Sequence, residues 1–200
     1  MKCKKDLIID AAIDLFAEQG FSDTSTAEIA ANSHVAQGTV FYHFKSKEGI
    51  LHEVLHQLLQ ETIDAHNSID KSRHTGHQCI EQLLRKDLAI VQQHKKKVKT
   101  LIRDMSAAQR EGDLCRNQLN TFLEHKIALL CLFLRKGIAD GSIRPLPIEE
   151  TAWFLDAAFY GVTHVQLLKE IPIPDINEHA IQLCLSALAP SAPPPKHHEV

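Results

Sequence analysis

The sequence has no apolar run that approaches the roughly 20 residues of a membrane span. Three of its first six residues are lysine, but no apolar segment or cleavage site of a secretory signal follows them. These absences predict a cytoplasmic protein with no membrane partner.

Paired cysteine motifs are also lacking. The five cysteines are dispersed, odd in number and without a C-x-x-C pair, which argues against a disulfide framework and a zinc ribbon. The thirteen histidines are scattered, and no H-x-x-x-H stands beside a matching acid or cysteine set. We therefore predict no metal site.

Motifs of catalysis are missing too: there is no nucleophile elbow and no phosphate-binding loop. We expect no catalytic residues, no cofactor and no enzyme activity. The net charge of −3 shows that the whole chain is not a basic nucleic-acid binder. Residues 1–50 hold five lysines and seven acidic residues, so binding of DNA there requires the two signs of charge to lie on opposite sides.

Apolar residues recur at helical spacing along the whole chain, without strand-like alternation. Gly20 ends a first helix, and Ser25 with Glu28 forms a capping box for a short second one. After a break of a few residues, a third helix covers about 37–44. Two short helices behind a longer one predict a helix-turn-helix over about 25–44.

The remainder of the chain predicts more helices, about nine in all, and an all-α fold. Further helix starts are indicated at Ser46, at Thr75 with Gln78, at Pro147, and at Asp175 with Glu178. We predict a DNA-binding domain at 1–50, a helical ligand-binding and dimerisation domain at 51–189, and a disordered, proline-rich tail at 190–200.

Polar residues at the third helix suit contact with a DNA groove. Gln37 can read adenine, and Thr39 can offer a methyl group to thymine or a hydroxyl to phosphate. Thr26 lies at a helix start, where free amides attract phosphate, and Lys47 can add its charge there. Gly38 allows a close approach.

Two sequence patterns, which occur together in a fixed order and spacing, are specific enough to indicate a family. They are Gly20-Phe21-x-x-Thr24-Ser25-Thr26-x-x-Ile29-Ala30 and Val35-x-x-Gly38-Thr39-Val40-Phe41-Tyr42-His43-Phe44-x-x-Lys47-Glu48-x-Ile50-Leu51. Over about residues 5–55 the chain resembles the tetracycline-repressor (TetR) family. The resemblance implies a homodimer on a palindromic double-stranded operator, a C-terminal domain for a small-molecule effector, and a dimeric four-helix bundle. The implied DNA-binding residues are Ser25, Thr26, Gln37, Gly38, Thr39, Phe41, Tyr42, His43 and Lys47.

Three residues depart from the family pattern. Ala27 stands where some members have a base-reading arginine. His34 occupies a turn position that is usually glycine, although histidine tolerates the left-handed conformation better than most residues. Ala36 replaces a common serine cap, a loss of about 1 kcal/mol locally.

Candidate residues in the second domain come from its apolar segments. Those for a ligand cavity are Met105, Phe122, Phe133, Trp153, Phe154 and His164. The helix at 153–169 is apolar on more than one face and must bury a second face. With the last helix it supplies the candidates for the dimer interface, which are Phe159, Gly161, Val162, Val165, Leu168, Ile181 and Leu185.

The sequence thus favours a ligand-responsive repressor in which the fourth helix links the two domains. An enzyme or small-molecule carrier with a helical cavity is a second hypothesis, but it leaves the pattern at Gly38–Phe44 unexplained. A third is a helical adaptor whose DNA binding has decayed, which the acidic balance of residues 1–50 permits.

Overall fold

The computed structural model describes residues 3–110, 113–168, 173 and 175–190, without the side chains of residues 104–110, 113 and 114. These residues form nine helices and no strand, which confirms the all-α prediction. The helices are α1 (Lys4–Gln19), α2 (Thr26–Asn32), α3 (Gln37–Phe44), α4 (Lys47–Asn67), α5 (Gly76–Gln93), α6 (Lys95–Arg110), α7 (Asp113–Ala139), α8 (Ile148–Leu168) and α9 (Ile176–Leu188). None of the described helices is both long and apolar enough to cross a bilayer.

Local capping sets the helix ends near the N-terminus. Gly20 follows α1 with φ 95°, and the Ser25–Glu28 capping box opens α2 as predicted. Ser46 caps α4 by accepting a hydrogen bond from the Gly49 amide. A Cβ at residue 49 would lie 2.0 Å from the Phe44 carbonyl oxygen, so only glycine fits where α3 meets α4.

The turn between α2 and α3 depends on His34, whose φ is 54°. The His34 amide donates to the Ala31 carbonyl and the Val35 amide to the Ala30 carbonyl, which together satisfy the last carbonyls of α2. A non-glycine residue therefore holds the left-handed position, as the sequence predicted. Ala36 gives α3 no side-chain cap.

Two hydrophobic cores hold the chain together. The first joins α1–α4 through fully buried residues such as Phe16, Ile29 and Ile50, and it also includes Val98 and Leu101 of α6. The second joins α5, α7, α8 and α9. Because α6 enters the first core, the N-terminal helices are not packed alone, and the domain boundary at residue 50 stays a prediction.

The predicted cap of α9 is wrong. Asp175 precedes α9 in the left-handed conformation and makes no side-chain cap hydrogen bond. Glu178 instead binds Arg85 of α5 through both carboxylate oxygens, at 2.8 and 3.0 Å. An ion pair between two helices thus replaces a local cap. Residues 191–200, which include nearly all of the predicted tail, lie outside the described residues.

Candidate DNA-binding face and internal cavity

Helix α3 has one buried face and one exposed face. Val40 and Phe44 anchor it in the first core. Phe41 and Tyr42 are 64% and 74% exposed, although both are large and aromatic. Contact of large aromatic side chains with water is unfavourable. Exposed aromatic side chains on a helix that is anchored in the core therefore indicate a binding surface.

The other predicted DNA-contact residues lie near this face. Gln37, Gly38 and His43 are exposed, and Thr39 is half-buried. The Gln37 amide lies 3.5 Å from the Thr26 hydroxyl, so the start of α2 adjoins the start of α3. A Cβ on Gly38 would meet no atom of the chain within 4 Å. Any requirement for glycine there must come from outside the chain.

The polar groups of Ser25 and Lys47 already bind other residues of this chain. The Ser25 hydroxyl donates to Glu28 at 2.7 Å, and this hydrogen bond lowers the pKa of the Glu28 carboxyl. The Lys47 ammonium donates to the carbonyls of Phe21 and Ser22, both at 2.9 Å. In this state Lys47 ties α4 to the α1–α2 turn, and contact with phosphate would require it to exchange these partners.

Lys45 is a candidate that the sequence reasoning missed. It follows α3 with φ 67°, is exposed, and carries its ammonium 5.7 Å from the Phe41 ring centre and 5.9 Å from that of Tyr42. The signal for Lys45 in the sequence was its position directly after α3, the helix that carries most of the predicted DNA-contact residues. It adds positive charge at the exposed face of a helix that contains no acidic residue.

Two acidic residues of the N-terminal segment, both in α1, face α6 and not α3. Asp10 and Asp14 of α1 line a groove with Lys96 and Lys97 at the start of α6. The Asp14 carboxylate accepts from Lys96 at 2.5 Å. The basic run at the start of α6 thus offsets part of the acidic charge of α1.

An internal cavity of about 390 Å³ lies among α4–α8. This volume is within the range of roughly 300–1,000 Å³ found for small-molecule sites. Its walls are mainly aliphatic and aromatic, and one part is charged. The described lining residues are Leu55, Leu58, Leu59, Thr62, Asp87, Ile90, Val91, Val98, Leu101, Ile102, Leu119, Asn120, Phe122, Leu123, Lys126, Asp156, Phe159, Tyr160 and Thr163.

The charged part is a buried ion-pair network. Lys126 lies 2.8 Å from Asp87 and 2.8 Å from Asp156, and the Nε2 atom of His66 lies 2.6 Å from Asp87. Burial raises the pKa of Asp87, but the charge of Lys126 and the contact with His66 lower it by more. Burial lowers the pKa of Lys126, and the two carboxylates raise it by more. Both groups thus stay charged at neutral pH.

The structure places one of the six candidate ligand residues, Phe122, in the cavity wall. Phe133 is fully buried in the second core, and Trp153 and Phe154 are 52% and 67% exposed on the outer side of α8. The structure thus places these three outside the cavity wall, because the rotation of α7 and α8 turns their side chains to other sides. His164 is half-buried beside Tyr160, and the Met105 side chain lies outside the described residues.

A signal for the missed residues was present in the sequence. Lys126 falls on the apolar stripe of α7 at helical spacing from Leu119, Phe122 and Leu123. Asp87 interrupts the stripe of α5 in the same way. Ionisable side chains at core-facing positions of two helices indicate a pair that meets inside the protein.

The candidate dimer residues divide into three groups. Ile181 and Leu185 are buried in this chain's own second core, and Phe159 lines the cavity. The structure therefore does not present these three side chains to a partner subunit. Val162, Val165 and Leu168 are half-buried. Gly161 is exposed, and a Cβ there would meet nothing within 4 Å.

Comparison with known proteins agrees with this geometry. Residues 8–54 match the sequence model of the bacterial regulatory proteins of the tetR family. The fatty acid metabolism regulator protein of Bacillus subtilis is 27% identical over 138 residues, 68% of this chain and 69% of that protein. The HTH-type transcriptional repressor KstR2 of Rhodococcus jostii is 25% identical over 187 residues, 91% of this chain and 89% of that protein.

Solved structures extend the likeness to the whole fold. A tetR-family regulatory protein from Rhodococcus RHA1 superimposes with a TM-score of 0.79 at 17% identity, over 96% of this chain and 100% of that one. The ketosteroid transcriptional regulator KstR2 of Mycobacterium tuberculosis gives a TM-score of 0.77 at 17% identity, over 96% and 97%. Residues 8–54 thus match the sequence model of the tetR family, and the described part of the chain shares the fold of solved regulators of that family.

Proposed function

We propose that the chain is a homodimeric repressor that binds a palindromic operator and is released by a small molecule in the internal cavity. The observation that carries this proposal is the exposed face of α3, where Phe41 and Tyr42 project from a firmly anchored helix. Two such helices about 34–36 Å apart would enter successive major grooves. In this arrangement Gln37 reads a base, and Tyr42, Thr26 and Lys45 contact phosphate.

The outer side of α8 and α9 is the proposed dimer surface. Phe154, Ala157 and Gly161 are exposed along one face of α8, and Leu183 is 63% exposed on α9. Exposed apolar residues on two helices that pack against each other favour a protein partner. The proposed partner is a second copy of the chain. A twofold axis would pack this surface of one copy against the same surface of the other, and it would set the distance between the two α3 helices.

The effector would act through helices shared by the cavity and the DNA-binding domain. Leu55 and Leu58 of α4 and Val98 and Leu101 of α6 line the cavity and also belong to the first core. A ligand that favours another position of α4 or α6 changes the spacing of the α3 helices. By linkage it lowers DNA affinity, and DNA lowers ligand affinity by the same factor.

A gel-shift titration with DNA flanking the chain's own gene, at low and physiological salt, tests the proposal. We expect Tyr42→Ala to weaken binding to all sequences by about tenfold, as the loss of a phosphate hydrogen bond requires. We expect Gln37→Ala to change sequence preference instead. Gln60→Ala, at an exposed glutamine of α4, is the matched control and should have no effect.

Operator affinity unchanged by Tyr42→Ala would contradict the docking of α3. A stable fold without salt-dependent DNA binding under any condition would support the adaptor or carrier hypothesis. Sedimentation that shows only monomers at the concentrations used for DNA binding would rule out the dimer.

A further inference from the structure

The charged end of the cavity has more negative than positive charge. Asp87, Lys126 and Asp156 are the charged side chains among its described lining residues, two carboxylates against one ammonium. Lys126 is 2.8 Å from an oxygen of each carboxylate, so its charge is already shared by both. An incoming ligand head therefore meets a net negative environment.

Asp156 is the carboxylate best placed to receive a ligand. Both oxygens of Asp87 are engaged, one by His66 and one by Lys126, and its side chain is 5% exposed. Asp156 contacts Lys126 through Oδ1 and is 19% exposed. Among the described residues no second donor reaches Asp156, so Oδ2 remains an acceptor at the cavity wall.

The charge of a ligand's polar head group should decide how tightly the ligand binds beside these two carboxylates. An anionic head would add a third negative charge beside two carboxylates in an apolar cavity, where water screens charge poorly. A cationic head would balance the excess charge and donate to Asp156. The Phe159 ring already faces the Lys126 ammonium at 5.2 Å, and Tyr160 places a second aromatic ring in the wall that can receive a ligand cation.

We propose that the effector is an apolar molecule with one cationic head, an amine or an amidine, that binds Asp156. This inference rests on the proposed role of the cavity as the effector site. It differs from the lipid chemistry that the names of the fatty acid and ketosteroid regulators indicate for those proteins.

Calorimetric titration of the full-length chain at pH 7 with decylamine, 1-decanol and decanoate, all below micellar concentrations, tests the inference. The three probes share one apolar chain and differ in head charge. We expect decylamine to bind about tenfold more tightly than decanol, and decanoate to bind most weakly. Asp156→Asn should remove the tenfold advantage of decylamine and leave decanol unchanged. Glu149→Gln, at an exposed carboxylate of the same helix, should change neither affinity.

Each result decides a different question. Decanoate binding as tightly as decylamine, or an amine preference that survives Asp156→Asn, would overturn the cationic head and leave the cavity as an effector site. Binding of none of the probes would overturn the effector site as well, while DNA binding would still be decided by the gel shift. The comparison of probes on the unmodified chain requires no variant to fold.

Discussion

Arg103 of α6 donates hydrogen bonds to the carbonyl oxygens of Phe16 and Ala17 in the last turn of α1. A cation at a helix C-terminus satisfies carbonyls that lack a partner within the helix and opposes the negative end of its dipole. The contact joins the DNA-binding domain to the helix that carries Val98, Leu101 and Ile102 into the cavity. It is therefore a physical connection between the two proposed sites.

Arg103→Gln should weaken this connection. We expect the chain to keep its ligand affinity, while the ligand-induced loss of DNA binding shrinks by up to about tenfold, within the usual range of coupling free energies. Anisotropy titrations of operator DNA with and without ligand measure the change. Arg85→Gln, which breaks an ion pair with Glu178 away from α1, is the control. Equal loss of coupling in both variants would contradict a specific role for Arg103.

His34→Gly should stabilise the protein by roughly 1 kcal/mol, because a left-handed residue with a Cβ costs about 1–2 kcal/mol and glycine avoids most of it. His43→Gly, at an exposed helical position, should instead destabilise by about 0.5–1 kcal/mol. Urea denaturation of both variants gives the two values. Destabilisation by His34→Gly would mean that its side chain has a role that its backbone does not explain.

Gly38→Ala should have opposite effects on folding and on binding. Alanine gains about 0.5–1 kcal/mol over glycine within a helix, and its Cβ meets nothing within 4 Å here. Thermal unfolding should therefore shift upward. DNA affinity should fall at least severalfold if the groove lies against this position. Unchanged affinity would place Gly38 outside the contact.

Breaking the buried network should be costly. Lys126→Met leaves Asp87 and Asp156 without their cation, a loss of about 3–5 kcal/mol for a buried pair. The double variant Asp87→Asn with Lys126→Met should recover part of the stability, because it leaves fewer unpaired buried charges. Chemical denaturation at pH 7 measures both. Equal stability of Lys126→Met and the unmodified chain would refute the paired state.

Stability should also fall in acid through Asp87. Its folded pKa lies below the usual value of 3.8, so its contribution is complete above that pH and is lost as the pH falls through the folded pKa. Denaturation between pH 6 and pH 2 should show this loss. Asp87→Asn should flatten that part of the curve, whereas Asp64→Asn, at an exposed acid of α4, should not.

Leu183→Glu tests the dimer surface. A charge on each side of a twofold interface brings like charges together and removes apolar contact, so dimer dissociation should become measurable by sedimentation. Leu185→Glu is the informative contrast, because Leu185 is buried within the chain and its substitution should lower folding stability first. Dimers of normal affinity in Leu183→Glu would place the interface elsewhere.

The sequence alone determined the approximate positions of most helices and the helix-turn-helix. Capping boxes at Ser25 and Thr75 act over three residues, and the apolar period of α1 to α4 is set locally, so these features can be read directly. The left-handed turn at His34 was likewise predictable from its place in the pattern.

Only the tertiary structure decided which faces of the later helices look inward. Several faces of α8 are apolar, so periodicity could not tell that Phe159 lines a cavity while Phe154 is exposed. The meeting of Asp87, Lys126 and Asp156 depends on the rotation and crossing of α5, α7 and α8, which long-range packing fixes. The sequence of a helix shows which of its faces are apolar, but the element that packs against each face depends on the whole fold.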